Sequence, residues 1–295
     1  MEVRHRKSMC PRAILFLATC WFGFPFATNA ADVGQLNPAW LDQDKAVISR
    51  LKPLLPPTPN EISATEWIKQ LDISNKIEDR DIGFGGRRYQ FATLGGYATA
   101  WISLVAYRDE IAQVHIQLTA SSSPPQVVRV IQQTWGSVGK KTERGVEYDY
   151  RSPEVSRKLL EAIAGQLGDS VDVTVPLKHR ADLELLLDPI RPLTVGTHCG
   201  IAGIAPEGRE AIDRLTSAKQ LGLLGRILRS TNPEARVYAA MAMDQLGKSG
   251  MLVSSADAKA IETIGKLDIT IQRCDGCFIS VDTADSLLHG RGPNW

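Results

Sequence analysis

Spacing of the apolar residues divides the chain into stretches of period two and stretches of period three to four. Residues 81–84, 87–93, 97–107 and 111–119 are rich in aromatic and β-branched types, and Gly85-Gly86, Gly95-Gly96 and Asp109-Glu110 separate them as hairpin turns. In the last stretch Val114, Ile116 and Leu118 alternate with Gln113, His115, Gln117 and Thr119, which predicts one buried face and one wet or lightly covered face. An antiparallel meander follows. Helical spacing predicts helices at 61–71 and at 125–135, where Val127, Val128, Ile131 and Trp135 lie across the buried face. Residues 147–150 read as a strand. Ser152 caps a helix opened by Pro153, 171–175 read as a strand and 182–187 as a helical turn or two. Trp67, Trp101 and Trp135 are expected in the core. The fold class is therefore α+β, with an α+β domain at 61–190 preceded by a proline-rich linker at 31–60 that holds one short helix near 40–51.

Pro189, Pro192 and the loop 196–203 mark a boundary, and helical signals dominate beyond it. A short helix is predicted at 206–215. Leu221, Leu224, Ile227 and Leu228 form one apolar stripe, and a tight connection leads to the best-marked helix in the chain. There Asn232 is an N-cap, Pro233 occupies the first helical position and Glu234 suits the positive end of the dipole. Val237, Ala240, Met241 and Leu246 give it one buried face, and Gly247 supplies the stop. Ser255 caps a further helix carrying Ala258, Ile261, Ile264 and Leu267, and extended stretches follow at 269–271 and 278–281. The pattern Asn-Pro-x-x-Arg-x-x-Ala-Ala-x-Ala-Met-x-x-Leu-Gly resembles the HEAT-like helical repeat over about residues 217–247. That resemblance implies a helix pair and a structural Arg236 hydrogen-bonded to a neighbouring turn. No second copy recurs at a period of roughly 30 to 45 residues, so no concave recognition surface is implied, and the pair must pack on the rest of the domain at 191–295.

Composition changes the picture mainly at the start. Arg4, Arg6, Lys7 and Arg12 precede an apolar run over 13–26, and Thr28-Asn29-Ala30 offers small residues for cleavage, so residues 1–30 read as a signal peptide. Its removal takes four basic residues and one acid, and the formal charge moves from +1 to −2. No basic block remains to neutralise a row of phosphates, which argues against nucleic acid as a partner. No later segment reaches the length of a membrane span. An exported, periplasmic or extracellular protein is expected. Cys20 sits in a faint lipoprotein-like box.

Three cysteines lie beyond the signal, Cys199, Cys274 and Cys277. In an oxidising compartment they point first to one structural disulfide, with Cys199 bonded to one of the CxxC pair. Unpaired thiols, a redox pair, or a zinc site recruiting His198 are the alternatives. The redox reading wants a helix N-terminus, whereas extended chain surrounds this CxxC. Gly83-Phe84-Gly85-Gly86 lacks the GxxxxGK[ST] spacing and reads as a turn. His115 could serve as a base beside Glu110, but a solvated strand residue is the simpler reading. His179 and His289 lie in polar stretches. With no complete catalytic set and no cofactor motif, the sequence leads to a non-catalytic binding or scaffolding protein with a protein or peptide partner. A thiol-active protein using Cys274 and Cys277 is the alternative.

Overall fold

The computed structural model describes residues 36–55, 62–71, 76–120, 125–137, 139–170, 172–200, 202–276 and 278–290. The expected signal peptide at 1–30, with Cys20, and Cys277 lie outside the described residues. Six strands form one antiparallel sheet in the order β1-β2-β3-β4-β6-β5: β1 Lys76–Gly83, β2 Gly86–Leu94, β3 Thr99–Tyr107, β4 Glu110–Thr119, β5 Lys140–Thr142 and β6 Gly145–Arg151. Ten α-helices stand beside it among the described residues, so the fold is α+β. The hairpin turns are built as their residues demand. Arg108 (φ +49°) and Asp109 (φ +69°) both take the left-handed conformation that a two-residue turn matched to strand twist requires. Asp109 repays its position by accepting from the Thr65 amide at 2.9 Å and the Thr65 hydroxyl at 2.8 Å. Gly95 and Gly96 meet a different demand, since a Cβ at either would collide with Asp44 or Trp40.

Side chains alternating across the pleat send Phe91, Ile102, Leu104, Val114, Ile116 and Leu118 to one face. Three helices cover that face: α1 Pro38–Leu51 through Val47, Ile48 and Leu51, α2 Ala64–Leu71 through Trp67, and α3 Pro125–Trp135 through Val127, Ile131 and Trp135. Within the segment expected as a linker with one short helix, the described residues 36–55 pack on the sheet through α1. Its anchor is the buried Asp44, whose carboxylate accepts from the amides of Tyr97 (3.1 Å) and Ala98 (2.9 Å). The opposite face is covered only at the end near the β1–β2 and β3–β4 turns, where Ile82, Val105, Tyr107 and Ala112 meet α4 Pro153–Leu167. Trp101 lies on this face beyond the reach of α4 and is 48% exposed, so it is not a core residue.

One buried cluster continues from α4 through α5 Arg180–Leu187, α6 Glu207–Ser217, α7 Leu221–Leu228, α8 Pro233–Lys248, α9 Ser255–Gly265 and α10 Ala284–His289. It runs across residue 190 without interruption, and the described residues belong to one compact unit. Residues 172–176, which overlap the expected strand at 171–175, form no ladder among the described residues; Val173 and Val175 pack on the helical cluster instead. His179 is buried, not part of a polar surface. The C-terminal strands β7 Thr270–Asp275 and β8 Phe278–Thr283 form a separate hairpin.

The helix α8 differs most from its sequence reading. Every residue from Pro233 to Ala240 is buried, because α6, α7, α9, α10 and β7 pack around it. Gly247 lies inside the helix, and the left-handed residue that follows is Gly250 (φ +90°). The Asn232 cap holds: its side chain accepts from the Ala235 amide at 3.1 Å and donates to the carbonyls of Asp188 and Arg191, both at 2.9 Å. Glu234, fully buried, receives Arg80 at 2.5 Å and Arg88 at 3.2 Å from the sheet, and Glu78 binds the same two guanidiniums at 3.0 and 2.7 Å. Burial opposes the charge of Arg88, yet Glu234 and Glu78 outweigh it and hold its pKa above the ordinary arginine value. Arg236, also buried, donates to the Ser230 carbonyl at 2.9 Å and to the Ile82 carbonyl, with its guanidinium 4.9 Å from the Phe84 ring centre. Burial pulls its pKa down to about 9.

Candidate functional site

The covered and uncovered halves of the second sheet face meet at a cleft of about 850 Å³. Its floor is sheet: Val105 on β3, Ala112 and Gln113 on β4, and Arg151 at the end of β6, with Gln113 and Arg151 paired in register. Ser152 explains why the floor and the first wall keep their relation. Its amide donates to the Ala112 carbonyl at 2.9 Å while its hydroxyl caps α4 by accepting from Val155, so strand and helix share one residue as their joint. From α4 come the apolar Leu159 and Leu160. The second wall is α5 with Arg180, Leu183 and Leu187, and the third is the C-terminal end of α7 with Arg226 and Arg229.

Four arginines line this cleft against two acids, Glu184 and Asp188. Arg229 is occupied: it is buried, donates to the carbonyls of Leu167 (3.1 Å) and Gly225 (2.9 Å), and pairs with Asp257 at 2.6 Å. It fixes the end of α7 to α4 and α9. Arg151, Arg180 and Arg226 make no ion pair among the described residues. The volume lies within the range of small-ligand sites, and the lining mixes aliphatic side chains of α4 and α5 with charged and polar ones. A guanidinium with open donors at the rim of an apolar wall suits a carboxylate, which it can grip with two parallel hydrogen bonds. None of these residues carried a sequence signal. Arg151, Arg180 and Arg226 are separated by tens of positions, and only the packing of α4, α5 and α7 on the sheet end brings them together.

Next to Gln113 and Arg151 along the same strands lie His115 and Asp149, paired in register, with His115 Nδ1 2.7 Å from Asp149 Oδ1. The partner considered from sequence, Glu110, instead binds Lys158 at 2.9 Å. Ser103 stands opposite His115 on β3, so a Ser-His-Asp row crosses three strands. The Asp149 side chain is 69% exposed, so water competes for its bond to His115.

Cys199 and Cys274 are joined by a disulfide, with 5.6 Å between their Cα atoms and a sequence separation of 75. The bridge ties the loop before α6 to β7, where the Gly276 amide donates to the His198 carbonyl at 3.2 Å and the Gly200 amide to the Gly276 carbonyl at 2.8 Å. Cys274 is buried, and its sulfur is engaged with Cys199. Among the described residues no three His, Cys, Asp or Glu side chains gather in a way that could hold a metal ion. No described helix is long and apolar enough to cross a membrane. No family model, curated protein or solved structure matches the chain.

Proposed function

We propose that the protein is an exported, non-catalytic binding protein whose cleft receives a peptide segment ending in a free carboxylate and carrying aliphatic side chains. The observation that carries this reading is the set Arg151, Arg180 and Arg226, which line the cleft beside Leu159, Leu160, Leu183 and Leu187 and make no ion pair among the described residues. The Cys199–Cys274 bridge fits an oxidising compartment and supports export. Glu184 and Asp188 favour a peptide over a simple fatty-acid-like anion, because peptide amides give these acids something to accept from.

Calorimetric titration with an acetylated hexapeptide ending in Ala-Leu-Leu carboxylate, with its C-terminal amide and with decanoate tests the proposal. The free-acid peptide is expected to bind, and the amide about tenfold or more weaker, since one charge-assisted pair contributes about 1.5–3 kcal/mol. Arg151→Ala and Arg226→Ala should each remove most of that preference. Equal binding of acid and amide, or no binding of either, would refute the reading. Tighter binding of decanoate than of the peptide would move the ligand to small aliphatic anions and reject the peptide.

A further inference from the structure

The β7–β8 hairpin has one secured edge and one open edge. β7 is anchored: the Val195 amide donates to the Gln272 carbonyl at 2.8 Å, the Cys274 amide to the Val195 carbonyl at 2.9 Å, and the disulfide fastens the same strand. No strand pairs with the outer edge of β8 among the described residues. Phe278 is 78% exposed, Ile279 69% and Val281 67%, so half of this six-residue strand is apolar side chain in water. Edge strands are ordinarily blunted by lysine, proline, a bulge or inward-pointing charge. β8 has none of these, and its one charged residue, Asp282, is held by Arg273 across the hairpin at 3.3 Å.

We infer that β8 is a self-association edge, paired antiparallel with β8 of a second copy about a two-fold axis through Ser280. The strand is self-complementary in this register. Ser280 faces Ser280 of the second copy, and Ile279 faces Val281 twice, which gathers four aliphatic side chains on one face of the ribbon. Asp282 stands opposite Phe278, so no like charges oppose each other. The interface is isologous and closed, and it yields a dimer in place of a fibre. Three large apolar side chains per copy, the aromatic one of a type that buries about 150–250 Å², remain below the ~800 Å² per partner of a standard interface. The dimer is therefore weak and concentration-dependent.

Sedimentation equilibrium of the purified protein over a range of micromolar concentrations is expected to show a monomer–dimer equilibrium. Val281→Lys should raise its dissociation constant about tenfold or more while leaving the circular dichroism spectrum and melting temperature unchanged. The register is read by Ser280→Cys in a Cys277→Ser background, which should oxidise to a covalent dimer, whereas Asp282→Cys in that background should not. A protein that stays monomeric, a dimer indifferent to Val281→Lys, or failure of the position-280 cross-link with a cross-link at 282 would each overturn the inference.

Discussion

Two arginine clusters divide the work of this molecule, and they differ in who supplies the negative charge. At the sheet edge Arg80 and Arg88 find Glu78 and Glu234 within the chain, and α8 is drawn onto β1 and β2 through a buried ionic contact. In the cleft Arg151, Arg180 and Arg226 find no such partner, while Arg229 beside them does, in Asp257. A buried guanidinium cannot be left uncompensated, because desolvation of a lone charge costs several kcal/mol. A guanidinium at the mouth of a cleft can wait in water for a ligand at little cost. The same residue type is structural where the chain closes the circuit and, under the proposed function, a binding group where the chain leaves it open.

The largest expected effect breaks the first cluster. Glu234→Gln leaves Arg80 and Arg88 facing a neutral amide, and chemical denaturation should show a loss of about 3–5 kcal/mol. Replacing Arg80, Arg88, Glu78 and Glu234 together by methionine or leucine should cost much less, and a loss as large as that of Glu234→Gln would show that packing, not charge, is what the single change disturbed. Next comes the bridge. Cys199→Ser with Cys274→Ser frees the chain between them, and the midpoint of urea unfolding should fall by the equivalent of about 2–4 kcal/mol, the usual effect of such a bridge.

A smaller effect concerns Tyr238, whose hydroxyl donates to the Thr194 carbonyl at 2.7 Å and accepts from the Gly196 amide at 3.0 Å. Burial raises its pKa above the ordinary value of 10. The sign follows directly: the unfolded chain loses this proton near pH 10 and the folded chain keeps it, so stability is complete below that value and declines as pH rises through it. Tyr238→Phe should cost about 1 kcal/mol at neutral pH and flatten the alkaline decline measured by denaturation at successive pH values. Smallest on stability are Arg151→Ala and Arg226→Ala, expected within about 0.5 kcal/mol of the parent. A large loss there would place these arginines in the structural class and erase the contrast with the first cluster.

What could be read in advance follows the range of the forces involved. Turn residues, caps and alternation act over a few positions, which is why the four-stranded meander, Ser152 and Asn232 were legible. Short or ambiguous segments were not: β5 has three residues, and 172–176 alternate like a strand although they pack on helices. Trp101 alternates onto a face whose covering helix stops short of it, a fact of helix length and docking that no local window contains. The cleft was invisible for the same reason.

The sequence by itself determined the antiparallel sheet, the capped helices and the presence of a cysteine set suited to an oxidising compartment, because each rests on contacts between near neighbours or on composition. The tertiary structure decided that the first half of α8 is buried on every side, that Cys199 bonds Cys274, that Glu234 joins Glu78 in pairing with two strand arginines, and that three other arginines line an open cleft. Those outcomes depend on which surfaces meet. Pairing of charges across 146 residues, from Arg88 to Glu234, is set by the packing of whole helices on the sheet and has no trace in local spacing.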